Sequence, residues 1–292
     1  MDDSHQHGGS ADVAAGFSWG WSAVGLILTI GVVCYAWGVV RAQRRLGRQW
    51  SRHRSLSWVA GVGMVAAALS PPMQQFAHRD ASGHMVQHLL LGMYAPILLM
   101  LAAPVSVLLA AVSPRVGRGI GRILHNPVLH IVSHPITAAM LNVGGLYLLY
   151  MTPLYSFTMH APLAHVLVQV HFLVAGYLFA WSIAGPDPAP RRPGMTTRLS
   201  VLMVAIAAHG YLAKLLYAHA GDLPPGTSDP ISQLEKAAQW MYYGGEPAEL
   251  LLAAALFAWW YRRRAPLASQ STNLTNCPSY SHDAQRLRPQ PQ

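Results

Sequence analysis

Two histidines four residues apart, His84 and His88, open the apolar stretch HMVQHLLLGMYAPILLMLAAP at residues 84–104. On a helix that spacing puts both imidazoles on one face, one turn apart. A pair so placed can chelate one metal ion. Met85 lies three residues before His88, and a thioether beside imidazole suits Cu(I). The same question arises at HVLVQVH, residues 165–171, where His165 shares a helix face with Gln169. His171 points about 120° away from His165, since six residues turn through about 100° each.

The elements that carry these residues are membrane helices. The chain has 292 residues, 52% hydrophobic and 11% charged, against about 25% charged in a soluble domain. Its apolar residues come in runs, and a run of about 20 is what a bilayer crossing needs. Seven such runs are expected to be spans, at 17–40, 56–76, 84–112, 135–152, 163–184, 197–219 and 237–261. Pro96 and Pro104 lie inside the third run and predict a kink there. The fold class is all-α, a polytopic seven-helix transmembrane bundle. Its expected divisions are a flexible arm at 1–16, a membrane domain at 17–262 and a disordered tail at 263–292. The tail is rich in Ser, Asn, Pro and Gln, a composition that builds no packed core. The acidic N-terminus, MDDSHQHGGSAD, lacks the basic region of a cleaved signal peptide, so the first run is expected to stay as an anchor.

The net charge of +9 does not point to nucleic acid, because the arginines are clustered between apolar runs. Arg41 to Arg54, Arg115 to Arg122, Arg191 to Arg198 and Arg262 to Arg264 form four clusters. With seven spans all four fall on one side, which the positive-inside rule makes cytoplasmic. The expected orientation is N-out and C-in. Cys34 and Cys277 are far apart and suggest no disulfide framework.

Of the 15 histidines, His53, His125, His130, His134 and His282 fall in or near basic cytoplasmic segments or the tail and read as solvated residues. His5, His7, His78, His84, His88, His160, His165, His171, His209 and His219 fall on or toward the outer side. Polar groups within a membrane face the bundle interior and mark functional sites. A lone membrane histidine also serves as an interhelical hydrogen bond, worth about 0.6 kcal/mol. Most methionines read as packing residues. Glu249, at the start of the last run, is either an interfacial charge at a helix N-terminus or part of a metal or proton site. Asp187, between two prolines in GPDPAP, reads as a turn residue. The sequence has no P-loop, no Rossmann glycine pattern, no GxSxG and no HExxH.

Five stretches in order resemble the CtaG-type cytochrome c oxidase assembly factors of bacteria. They are HMVQHLLLGMYAPILLMLAAPV, HPITAAMLNVGGLYLLYMTPLY, HVLVQVHFLVAGYLFAWSIAGPDPAPRR, HGYLAKLLY and AAQWMYYGGEPAEL. The resemblance covers about residues 50–262. It implies a multi-pass protein of the bacterial plasma membrane that is not an enzyme and helps activate a heme–copper oxidase by assisting copper delivery. It also marks His84, His88, His165, His171, His209 and Asp187 as recurrent polar positions. The implied partners are an oxidase subunit, a periplasmic copper chaperone and the lipid bilayer. The expected cargo is Cu(I), held by His84 and His88 with Met85, His160, His165, His171 and His209 as further candidates. Two other readings stay open. One is a copper transporter, for which the deeper polar groups are His171, His209 and the opposing cation Lys214. The other is a heme-binding redox protein with His88 and His171 as axial ligands.

Overall fold

The computed structural model describes the backbone of residues 8–47, 49–188 and 192–274, with side chains described from 21 to 263 within those ranges. Every regular element among the described residues is helical. In chain order they are α1 (Gly8–Leu46), α2 (Arg52–Leu69), α3 (Pro71–Arg79) and α4, the broken span Ala81–Ala111. Then follow α5 (Pro114–Leu124), α6 (Pro127–Val132), α7 (Pro135–Met151), α8 (Leu154–His160), α9 (Pro162–Ala184), α10 (Met195–Ala218) and α11 (Ile231–Leu274). Helix is present at each of the seven apolar runs. It also extends past the expected bounds of the membrane domain at 17 and 262. The expected arm and tail lie partly outside the described residues, and His5, His7 and Cys277 lie wholly outside them.

Four helices are long and apolar enough to cross a membrane: Trp21–Leu46, Ala81–Ala111, Pro162–Ala184 and Met195–Ala218. The pair α2 and α3 makes a fifth if its two arms, bent by 51°, form one span. The bend has a sequence cause. Pro71 and Pro72 follow Ser70, and a residue before proline is driven out of the helical region; Ser70 sits at φ −63°, ψ 149°. Helix α7 is apolar but shorter. The apolar core of α11 is flanked by Glu246 and Glu249 on one side and Arg262 to Arg264 on the other, which dilutes its apolar character.

Helix α4 runs through the centre of the unit, packed by α1, α2 and α9. It is interrupted twice. A π turn at Leu90–Tyr94 precedes Pro96, which has no N–H to give the carbonyl of Gly92. Ala103, at φ 54°, then adopts the left-handed conformation before Pro104 starts a new helical segment. The expected kink is therefore two separate breaks. A second π turn lies at Met140–Gly144 in α7. Such turns redirect the helix face and often stand at functional sites.

Lipid is as apolar as a leucine side chain, so helices join through close packing and hydrogen bonds rather than water exclusion. The tightest approach is between α4 and α9. A Cβ on Gly176 would stand 2.2 Å from the Gly92 carbonyl oxygen, so only glycine allows that backbone contact. The two largest of four apolar clusters among the described residues fill much of the interior. One contains Met85, Tyr150, Tyr155, Leu212 and Met241, the other Ile97, Phe179, Ile183, Leu202 and Leu256. The chain divides into two compact units, Met1–Leu256 and Phe257–Gln292, and everything described below lies in the first.

Candidate functional site

The N-terminal turns of α4 and α9 meet the end of α3. Asp80 caps α4, its Oδ1 accepting from the Ser82 N–H at 2.7 Å, and this fixes where His84 enters the bundle. His84 is 7% exposed and His165 6% exposed, with ring centroids 6.0 Å apart. The exposed His78 ring of α3 lies 5.1 Å from that of His165. A metal–nitrogen bond of about 2.0 Å, with the ring centre about 1.1 Å behind the nitrogen, separates two imidazoles on one ion by about 5–6 Å. Both distances fall in that range. As placed, no three His, Cys, Asp or Glu side chains among the described residues converge on a common ion, so shared ligation requires ring rotation.

Several observations mark the surroundings of His84. Its Nδ1 is buried without a hydrogen-bond partner. Nε2 of His165 is within 2.8 Å of Gln169 Nε2, the face sharing that the spacing predicts. The rings of Tyr155 and Tyr150 stand edge-on to His84 at 5.1 and 6.5 Å. Met85 is buried, and its sulfur is 4.0 Å from the Tyr150 hydroxyl. His84, Met85, Tyr150 and Tyr155, with Leu223 and Pro224, line a cavity of about 20 Å³.

The segment 219–230 closes over this end. The Tyr155 hydroxyl donates to Asp229 Oδ2 at 3.2 Å, and the Ser156 hydroxyl donates to the Gly226 carbonyl at 2.7 Å. Burial, and then the Asp229 carboxylate, push the Tyr155 phenol well above its ordinary pKa. It stays a protonated donor at any physiological pH.

His88 does not join this group. One turn further along α4, it packs edge-on against Phe172 at 4.8 Å. It lines a cavity of about 40 Å³ with His209, Glu249, Asn142 and apolar side chains. His209 Nδ1 is 2.9 Å from Glu249 Oε1. The expected pair thus opens onto two neighbourhoods, His84 toward His165 and His88 toward His209.

Two further candidates are placed outside both groups. His160 is exposed, and its Nδ1 lies 2.8 Å from the Ser156 carbonyl of its own helix. His171 is also exposed, and its Nε2 lies 3.1 Å from the Leu141 carbonyl in the second π turn. His171 therefore ties α9 to α7, and it is not among the side chains lining the cavity of His88.

Asp187 is not a simple turn residue. It is 1% exposed and accepts from the Val105 N–H at 3.1 Å and the Ser106 N–H at 2.7 Å. It thereby caps the segment Pro104–Ala111 across 82 residues of sequence. Arg192 donates to the carbonyls of Gly185 and Asp187. At the same end, Arg41 and Arg45 donate to the carbonyls of Ala111 and Val112. The histidine group and this arginine-rich region thus occupy opposite ends of α4.

Sequence reasoning placed His78 on the outer side without making it a ligand. Its signal was the Pro71–Pro72 break, which turns α3 so that its last residues reach α9. Glu249 pairs with His209, 40 residues away in sequence, and nothing local joins them.

The profile of the family described as cytochrome c oxidase caa3 assembly factor matches residues 33–263. An uncharacterized protein of Mycobacterium bovis is 35% identical over 197 residues, which is 65% of this chain and 29% of that protein. Uncharacterized proteins of Mycobacterium tuberculosis and Mycobacterium leprae are 35% and 33% identical, each again over 65% of this chain and 29% of its own length. The chain thus spans less than a third of the curated relatives it matches. No solved structure matches it.

Proposed function

The chain belongs to the cytochrome c oxidase caa3 assembly factor family, and from that premise we propose that it accepts Cu(I) at its outer histidine group and passes it to a heme–copper oxidase subunit. The observation that carries the reading is the buried pair His84 and His165, ring centroids 6.0 Å apart, with the exposed His78 ring 5.1 Å from that of His165; as packed, the three do not converge on one ion. The softness of the donors supports Cu(I), since the Met85 thioether lines the same cavity as His84. His84 offers a buried nitrogen with no other partner. The exposed His78 and the segment 219–230 form the rim that an arriving copper chaperone would face.

In this reading the protein is a carrier and not an enzyme. It sits in the bacterial plasma membrane as seven spans, with the amino end outside. The four arginine clusters support that orientation. So does the separation of the arginine-rich end from the histidine end along α4. Bending at Ser70 lets α2 and α3 act as one span, and α7 and α11 complete the seven within the bundle.

Deletion of the protein tests the role in cells. The isolated oxidase is expected to lose copper and activity, and re-expression is expected to restore both. A copper-replete, fully active oxidase in the deletion strain would remove this function.

A further inference from the structure

His88 and His209 carry an unusual burden for buried side chains. They are 6% and 4% exposed, and they line one cavity of about 40 Å³. Both nitrogens of His88 and the Nε2 of His209 are buried without a hydrogen-bond partner. Buried polar groups are satisfied in nearly all folded proteins, and each exception asks for a ligand or a function.

The surrounding sequence makes room for these two rings. A Cβ at Gly92 would lie 3.0 Å from Cε1 of His88, and a Cβ at Gly245 would lie 2.5 Å from Cε1 of His209. Most of the remaining lining is apolar, including Ile97, Leu146 and Phe179. Glu249 Oε1, at 2.9 Å from His209 Nδ1, fixes the tautomer. With the proton on Nδ1 shared with the carboxylate, Nε2 keeps its lone pair. A carboxylate behind a histidine is the arrangement that orients metal-ligating imidazoles.

We infer that His88 and His209 form a second, two-coordinate Cu(I) site, with Glu249 as its orienting and charge-balancing partner. The inference rests on the reading that the outer group takes Cu(I). Two ligands suit Cu(I), and the small apolar cavity leaves no space for the water shell of a harder ion. Cu⁺ against the Glu249 carboxylate is neutral overall, whereas a divalent ion would leave a net charge in a low-dielectric interior. Binding at Nε2 displaces no proton.

A groove between α10 and α11 also reaches His209 and Glu249, but Lys214 lines it. The Lys214 ammonium sits 5.1 Å from the centre of the Tyr242 ring, and Glu246 lines the same groove.

The test is a Cu(I) titration of the full-length protein, purified in detergent without oxygen, against a chromogenic Cu(I) chelator. Wild type is expected to bind two equivalents. His88→Ala and His209→Ala are each expected to bind one, and the retained outer equivalent shows that they are folded. His84→Ala/His165→Ala is expected to keep the inner equivalent. Glu249→Gln is expected to bind the inner copper about 10–100-fold more weakly.

Two equivalents retained in both His88→Ala and His209→Ala overturn this inference and leave the outer site standing. A single wild-type equivalent, lost in His84→Ala/His165→Ala, overturns it also. Two equivalents retained in His84→Ala/His165→Ala overturn the outer site, and no binding at all overturns both.

Discussion

Replacing Asp187 with alanine separates a structural role from a functional one. Its carboxylate holds the N–H groups of Val105 and Ser106 at 3.1 and 2.7 Å, where α4 restarts after the left-handed Ala103. Losing a partner for a buried N–H costs about 1–3 kcal/mol, and losing an N-cap costs about 1 kcal/mol. Val105 and Ser106 are half-buried, so water recovers part of each bond. The expected cost of Asp187→Ala is about 2 kcal/mol. Asp187→Asn keeps one acceptor oxygen and should cost about 1 kcal/mol. The backbone carbonyl that Arg192 uses is unchanged in both variants. Thermal unfolding of the purified protein should therefore rank wild type above Asp187→Asn above Asp187→Ala. Copper stoichiometry below the transition should stay the same in all three. An Asp187→Ala protein of wild-type stability that binds less copper would refute the capping argument and make Asp187 part of the copper path.

Further substitutions probe other joints of the fold. Gly176→Ala places a Cβ 2.2 Å from the Gly92 carbonyl oxygen and 2.9 Å from Pro96 Cγ. The helices must part, which should lower the unfolding free energy by about 1–3 kcal/mol and remove the inner copper equivalent; unchanged stability would contradict the close packing of α4 and α9. His171→Ala removes the bond to Leu141; stability should fall by about 0.6 kcal/mol with copper binding unchanged, and a lost equivalent would restore His171 as a ligand. Tyr155→Phe removes the donor to Asp229, so amide hydrogens in 219–230 should exchange faster, and an unchanged exchange rate would show that other contacts hold that segment.

Much of this arrangement was legible in the chain. The apolar runs located the helices, because length and hydropathy dominate in lipid. Pro96 and Pro104 announced an interruption of the third run, whereas the bend at Pro71 and Pro72, inside the expected span 56–76, was not expected. Their geometry was not legible, since a 51° bend and a left-handed Ala103 depend on what packs around them. Local spacing predicted the contact of His165 with Gln169 correctly.

Spacing also suggested that His84 and His88 would share one ion, yet each turns to a different helix. Partners on α9 and α10 decide that, and they lie about 80 to 120 residues away in sequence. The same distance hid the cap that Asp187 makes and the pairing of His209 with Glu249. Asp187, read only as a turn residue, is buried because the bundle brings a distant helix start to it.

The central claim is that the outer histidine group supplies copper to an oxidase. Cells should carry His84→Ala/His165→Ala in place of the wild-type chain, at equal membrane abundance, and the copper content of their isolated heme–copper oxidase should be measured. The oxidase is expected to be depleted of copper, with activity lost in proportion. An oxidase with its full copper complement in those cells would contradict it.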